Sequence, residues 1–70
     1  MKIAKLSERL GRRLQTTRLE ADLTQREAAK LAGITAAYLC QLEHGDAKPS
    51  IELLWKLAEV LGTTAGGLLG

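Results

Sequence analysis

Two helix starts and two helix stops are written into residues 24–45, which read Thr-Gln-Arg-Glu-Ala-Ala-Lys-Leu-Ala-Gly-Ile-Thr-Ala-Ala-Tyr-Leu-Cys-Gln-Leu-Glu-His-Gly. Thr24-Gln25-Arg26-Glu27 has the form of a capping box, in which the threonine hydroxyl accepts from the Glu27 amide while the Glu27 carboxylate reaches back to the Thr24 amide. A helix therefore begins at Gln25. Ala28, Ala29, Leu31 and Ala32 are expected to let it pack closely. Gly33 ends it, because glycine takes the left-handed conformation just past a helix C-terminus without steric cost. Ile34 is an apolar plug and Thr35 the next N-cap. The helix that follows turns Leu39 and Leu42 inward and stops at Gly45. Only Gly33, Ile34 and Thr35 separate the two helices, and so short a link demands a sharp turn and a steep crossing.

The flanks read as further helices. Upstream, Leu6, Leu10 and Leu14 recur at four-residue spacing, with Ile3 one step earlier. This pattern predicts an amphipathic helix that starts near Ser7, runs to about Glu20 and buries that leucine stripe. Asp22 tolerates the left-handed region better than most residues, so the turn is placed there. Downstream, Asp46-Ala47-Lys48-Pro49 reads as a loop, with Pro49 pinning the approach to the next helix. Ser50 caps that helix, and Glu52 suits its positive end. Ile51, Leu54, Leu57, Ala58 and Leu61 form its expected inner stripe, and Gly62 ends it. Residues 63–70 offer one more short turn around Leu68 and Leu69, disfavoured at Gly66-Gly67 by about 1 kcal/mol per glycine. The expected fold is all-α, four helices with room for a fifth, in a single domain over residues 1–70.

Composition narrows the function classes. A core assembled with no phenylalanine and only Tyr38 and Trp55 as aromatics must come from Leu, Ile, Val and Ala, which favours packed helices over a β-sandwich. A chain of 70 residues buries only about 60% of its unfolded surface, so its stability should be modest and oligomerisation a natural supplement. The single cysteine, Cys40, cannot form an internal disulfide. With His44 the only histidine, no set of three or four metal ligands is evident, and no cofactor is expected. Cys40 and His44 stand four apart on one helix, but a nucleophile pair would also need an oxyanion hole and a cleft. Four short helices leave little room for one, so no catalytic residue is assigned and no small-molecule ligand is expected. No apolar run approaches the ~18 residues needed to span a bilayer. The basic start is followed by no long apolar stretch, so a cytoplasmic protein without membrane contact is expected. Charge is unevenly spread: residues 1–30 hold eight cations against four carboxylates, a net +4, while residues 31–70 hold two against four, a net −2. A basic half beside an acidic half suits a protein that turns one face to a polyanion, although a solvated helix surface would read the same way.

Residues 24–45 resemble the helix-turn-helix of the Cro/repressor-type (XRE) regulators, through Gln25, Ala29, Gly33, Leu39, Leu42, Glu43 and Gly45 together. Leu10-Gly11, Leu14, Arg18 and Leu23 extend the likeness upstream, and Pro49-Ser50, Leu54, Leu57-Ala58 and Leu61-Gly62 extend it downstream, so that it spans about residues 6–69. The resemblance implies a lambda-repressor-like domain that binds double-stranded DNA as a homodimer on a palindromic operator. By position, Ala36, Ala37 and Gln41 become the base-reading residues, with Gln suited to adenine and Ala to the thymine methyl. Gln25, Tyr38, His44 and Lys48 become phosphate contacts. Arg18 and Glu43 become a water-shielded ion pair that holds the recognition helix. Thr17 and Asp22 depart from the family pattern, and two alanines at reading positions leave part of the specificity to DNA shape. Two other readings stand beside these. Ala36, Ala37 and Gln41 are also what an ordinary exposed helix surface would carry. The domain as a whole also suits a protein-interaction module, such as an antitoxin or a coactivator-like partner, whose DNA contact is secondary.

Overall fold

The computed structural model describes residues 3–70, with side chains from residue 6 onward. The described chain runs α1 (Ile3–Glu20), α2 (Gln25–Ala32), α3 (Ala36–His44), α4 (Ile51–Leu61) and α5 (Ala65–Leu69). Each of the last four helices opens on a hydroxyl cap. Thr24, Thr35, Ser50 and Thr64 all sit in extended conformation with the side-chain oxygen accepting an amide of the first turn. Around Thr24 the full box is closed, with the Glu27 N–H donating to Oγ1 and the Thr24 N–H donating to the Glu27 carboxylate, both at 3.0 Å. Gly33, Gly45 and Gly62 end their helices in the left-handed region. Asp22 takes the same region at φ 59°, the one described non-glycine residue to do so, and there it turns the chain between α1 and α2.

One apolar core draws on every helix. Leu14, Ala28, Ala29, Ala32, Leu39, Leu42, Leu54, Leu57, Ala58, Leu61 and Leu68 are buried. Helix α1 packs on α3 and α5, α2 packs on α3 and α4, and α4 packs on α5. The short fifth helix forms despite Gly66-Gly67, because Leu68 is almost wholly buried and its burial offsets the glycine cost.

Several expectations for the inner faces are corrected. Helix α1 does not start at Ser7, which is instead a buried residue inside it. It buries the leucine stripe only in part: Leu14 is buried and Leu10 packs against the core, but Leu6 is 50% exposed, and the covered face is completed by Ser7, Gly11 and Arg18. The Ile3 side chain lies outside the described residues. The cause of the difference is Gly11. A β-carbon there would sit 2.6 Å from the carbonyl oxygen of Leu42 and closer still to that of Glu43, so α1 crosses the end of α3 backbone to backbone. That crossing decides which face turns inward. Leu31 is exposed rather than packed, since Ala28, Ala29 and Ala32 already make the tight contact. Ile51, placed in the α4 stripe, is 76% exposed because it is the first residue after the cap and overhangs the core.

Candidate nucleic-acid interface

Helix α3 divides into two faces. Leu39, Leu42 and Glu43 are buried, whereas Ala37, Gln41 and His44 are exposed at spacings of four and three, which aligns them along one outward line. Of the three residues assigned to base reading, Ala37 and Gln41 therefore stand clear. Ala36 is half-buried, its methyl packed against the core. Tyr38 is also half-buried against the core, and Lys48 is exposed in the loop between α3 and α4. His44 turns its ring back on its own helix: Nδ1 lies 2.8 Å from the Cys40 carbonyl oxygen and 3.5 Å from Cys40 Sγ. A carbonyl only accepts, so Nδ1 carries the proton, and in the neutral ring Nε2 is an acceptor.

The outward face is held by a buried polar brace. Arg18 Nε donates to Glu43 Oε2 at 2.6 Å and Nη2 donates to Oε1 at 3.1 Å, a two-pronged guanidinium–carboxylate pair joining α1 to the end of α3. Both side chains are shielded from water. The third arginine nitrogen, Nη1, donates to the Leu23 carbonyl oxygen at 2.8 Å and so ties down the turn before α2. Gln25 Nε2 donates to Glu43 Oε1 at 3.0 Å, bringing the start of α2 into the same network. No buried side-chain nitrogen or oxygen among the described residues lacks a partner. A buried charge pair is tolerable only on that condition.

Sequence reading placed Arg18 beside Glu43 but missed the Gln25 and Leu23 contacts. One signal for a further donor existed: a carboxylate has about four lone-pair sites, and a bidentate arginine fills only two. Which residue supplies the donor depends on how the helices cross. Among the described residues no group of three or more His, Cys, Asp or Glu is placed to hold a metal ion, and no helix is long and apolar enough to cross a membrane.

A tri-helical unit that presents the exposed line of its last helix, braced from behind by an arginine–glutamate pair, defines a helix-turn-helix domain. The family model described as Helix-turn-helix matches residues 14–68, and the chain belongs to this family. It is 45% identical over 49 residues to the uncharacterized HTH-type transcriptional regulator YqaF of Bacillus subtilis, covering 70% of this chain and 64% of that protein. The chain thus spans less than two thirds of the length of that relative. It superposes on the clp gene regulator ClgR of Corynebacterium glutamicum with a TM-score of 0.89 at 34% identity, over 91% of this chain and 82% of that one. Against the restriction-modification controller protein C.AhdI of Aeromonas hydrophila the TM-score is 0.91 at 26% identity, over 97% and 99% of the two chains.

Proposed function

We propose that the protein is a sequence-specific double-stranded DNA-binding regulator of transcription, a repressor or autoregulator, which lays α3 in the major groove. The observation that carries this reading is the exposed line Ala37, Gln41 and His44 on a helix whose opposite side is locked by the Arg18–Glu43 pair. An α-helix fits the B-DNA major groove, and groove reading requires a helix that does not roll. Gln41 is the hydrogen-bonding member of the reading set and takes an adenine edge, while Ala37 and the half-buried Ala36 offer methyl contacts to thymine. Gln25, Tyr38 and Lys48 serve the phosphates. His44 joins them from the exposed line of α3.

The regulator acts as a homodimer on a palindromic operator, with the two recognition helices about 34 Å apart. Trp55, Ile51, Leu6 and Leu69 support pairing: all are large, apolar and more than half or about half exposed, an unusual load for 70 residues. Trp55 is 61% exposed and so is not packed inside the monomer, whereas Leu68 is covered by the chain itself.

Selection of bound sites from a random duplex pool tests the reading. Recovery of an inverted-repeat site supports it, and salt-insensitive or absent binding rejects it. On the selected site, Gln41→Ala is expected to cost about 1–3 kcal/mol and to relax preference at one base pair. Lys48→Ala should weaken all sequences alike and lower the salt slope by about one.

A further inference from the structure

Gln25 is the first residue of α2 and is half-buried, with its amide nitrogen 3.0 Å from Glu43 Oε1. A carboxylate paired with a guanidinium only accepts, so the amide must meet it with its NH2 group and not with its oxygen. That group has two hydrogens. Glu43 takes one, and the other remains for an acceptor outside the protein. It sits at the end of α2 where the backbone N–H groups of Gln25 and Arg26 have no intrahelical acceptor. A glutamine without the Glu43 contact would rotate through several side-chain wells and two amide orientations, most of which aim no N–H at a phosphate.

We infer that Glu43 is a positioning residue for the phosphate contact of Gln25, beyond its pairing with Arg18. The inference rests on the DNA-binding reading above. The carboxylate fixes the amide's orientation before DNA arrives, so the ordering cost falls in folding rather than in binding. One buried carboxylate then sets both the seat of the recognition helix, through Arg18, and the phosphate grip of the helix before it, through Gln25. The two parts of the interface are thereby held in register by a single group.

A double-mutant cycle on duplex affinity separates this from a purely structural role. Glu43→Asp keeps the negative charge but draws the carboxylate one methylene back from Gln25 and from Arg18 alike. Gln25→Ala should weaken binding to the selected site by about tenfold, the scale of one charge-assisted hydrogen bond. Glu43→Asp, shown to be folded by its circular dichroism and melting curve, should weaken binding severalfold. The double variant should lose clearly less than the two single losses combined, since the share of the Glu43→Asp loss that runs through Gln25 is already gone. Additive losses overturn the inference, because Glu43 would then act on binding only by supporting the fold. If Glu43→Asp does not fold, the native protein decides by NMR. One Gln25 amide proton should be protected from exchange without DNA, and the other should shift only when duplex is added. An unprotected pair in the free protein overturns the inference. Salt-sensitive binding with additive losses removes this inference alone, whereas absence of duplex binding removes the DNA-binding reading with it.

Discussion

The helix-turn-helix unit is clamped between two contacts built from different physics. On one side α1 meets α3 through Gly11, set against the carbonyl oxygens of Leu42 and Glu43, and through the Arg18–Glu43 pair. On the other side α2 meets α4, and the residues these two helices bury are all hydrocarbon: Ala28, Ala29 and Ala32 on one, and Leu54, Leu57, Ala58 and Leu61 on the other. The first contact is directional. A guanidinium fork fits a carboxylate in one geometry, and two backbones in contact allow no slippage. The second is non-directional, worth roughly 25 cal/mol per Å² of apolar surface whichever methyl supplies it. The polar side therefore sets where α3 points, and the apolar side supplies most of the stability that keeps it there. A buried ion pair alone would be a poor source of stability, since desolvation consumes most of its attraction.

This division is most exposed to a change at Glu43. Glu43→Ala strands a buried guanidinium and should cost about 3–5 kcal/mol, enough to unfold so small a domain, as read by thermal melting. The paired change Arg18→Met with Glu43→Leu should recover most of the stability while weakening site-specific DNA binding. If the double variant reads DNA as well as the native chain, the brace is not what aims α3. A smaller loss is expected at the apolar contact. Leu57 is fully buried, and Leu57→Ala should cost about 2–5 kcal/mol through lost transfer energy and a cavity. Leu57→Met should stay under about 1.5 kcal/mol because volume is conserved. The corresponding mild change on the polar side, Arg18→Lys, should not be mild, since a point charge has no fork. Urea melts of these two conservative variants compare the contacts directly, and equal losses would erase the distinction.

The smallest effect lies at the helix starts. Thr24→Ala should cost about 1 kcal/mol. The Thr24 backbone N–H, and secondarily its side chain, hold the Glu27 carboxyl below its ordinary 4.5. Because the folded value is the lower one, the box contributes above 4.5 and is lost as pH falls from there through the folded value. The α3 start, where Thr35 accepts from the Tyr38 N–H at 3.0 Å, involves no carboxylate and should not follow pH. Because Thr24→Ala keeps the backbone N–H, the titrating half is isolated by Glu27→Gln: melting-temperature profiles of the native chain and Glu27→Gln from pH 6 to pH 3 should converge at the acid end. Parallel curves would show that the box does not titrate.

Caps, stops and turn positions were legible residue by residue, because each depends on a few neighbours along the chain. Thr24, Thr35 and Ser50 start helices, Gly33, Gly45 and Gly62 end them, and Asp22 takes the left-handed turn, all as local chemistry predicts. The buried faces were legible only in part. Four-residue leucine spacing in α1 identified the helix correctly and its inward face in part: Leu14 is buried and Leu10 packs against the core, but Leu6 is exposed where Ser7 and Gly11 turn inward. The choice between adjacent faces fell to Gly11, whose missing side chain lets two backbones meet. A glycine inside a helical pattern was the available sign of that approach. Leu31 and Ile51 misled in the same way, for an apolar residue is free to remain exposed when smaller neighbours already fill the contact.

By itself, the sequence determined four of the helices, the caps and stops of α2, α3 and α4, and the three-residue link that makes a helix-turn-helix, since these follow from interactions within a few residues. The resemblance to the helix-turn-helix family also paired Arg18 with Glu43. Tertiary structure alone decided that Gln25 reaches Glu43 across 18 residues, that Nη1 of Arg18 secures the Leu23 carbonyl, and that Ala36 half-withdraws while Ala37 and Gln41 stand clear. Such contacts depend on crossing angles. Crossing angles come from the summed packing of all the faces, a quantity that no local stretch of the chain contains.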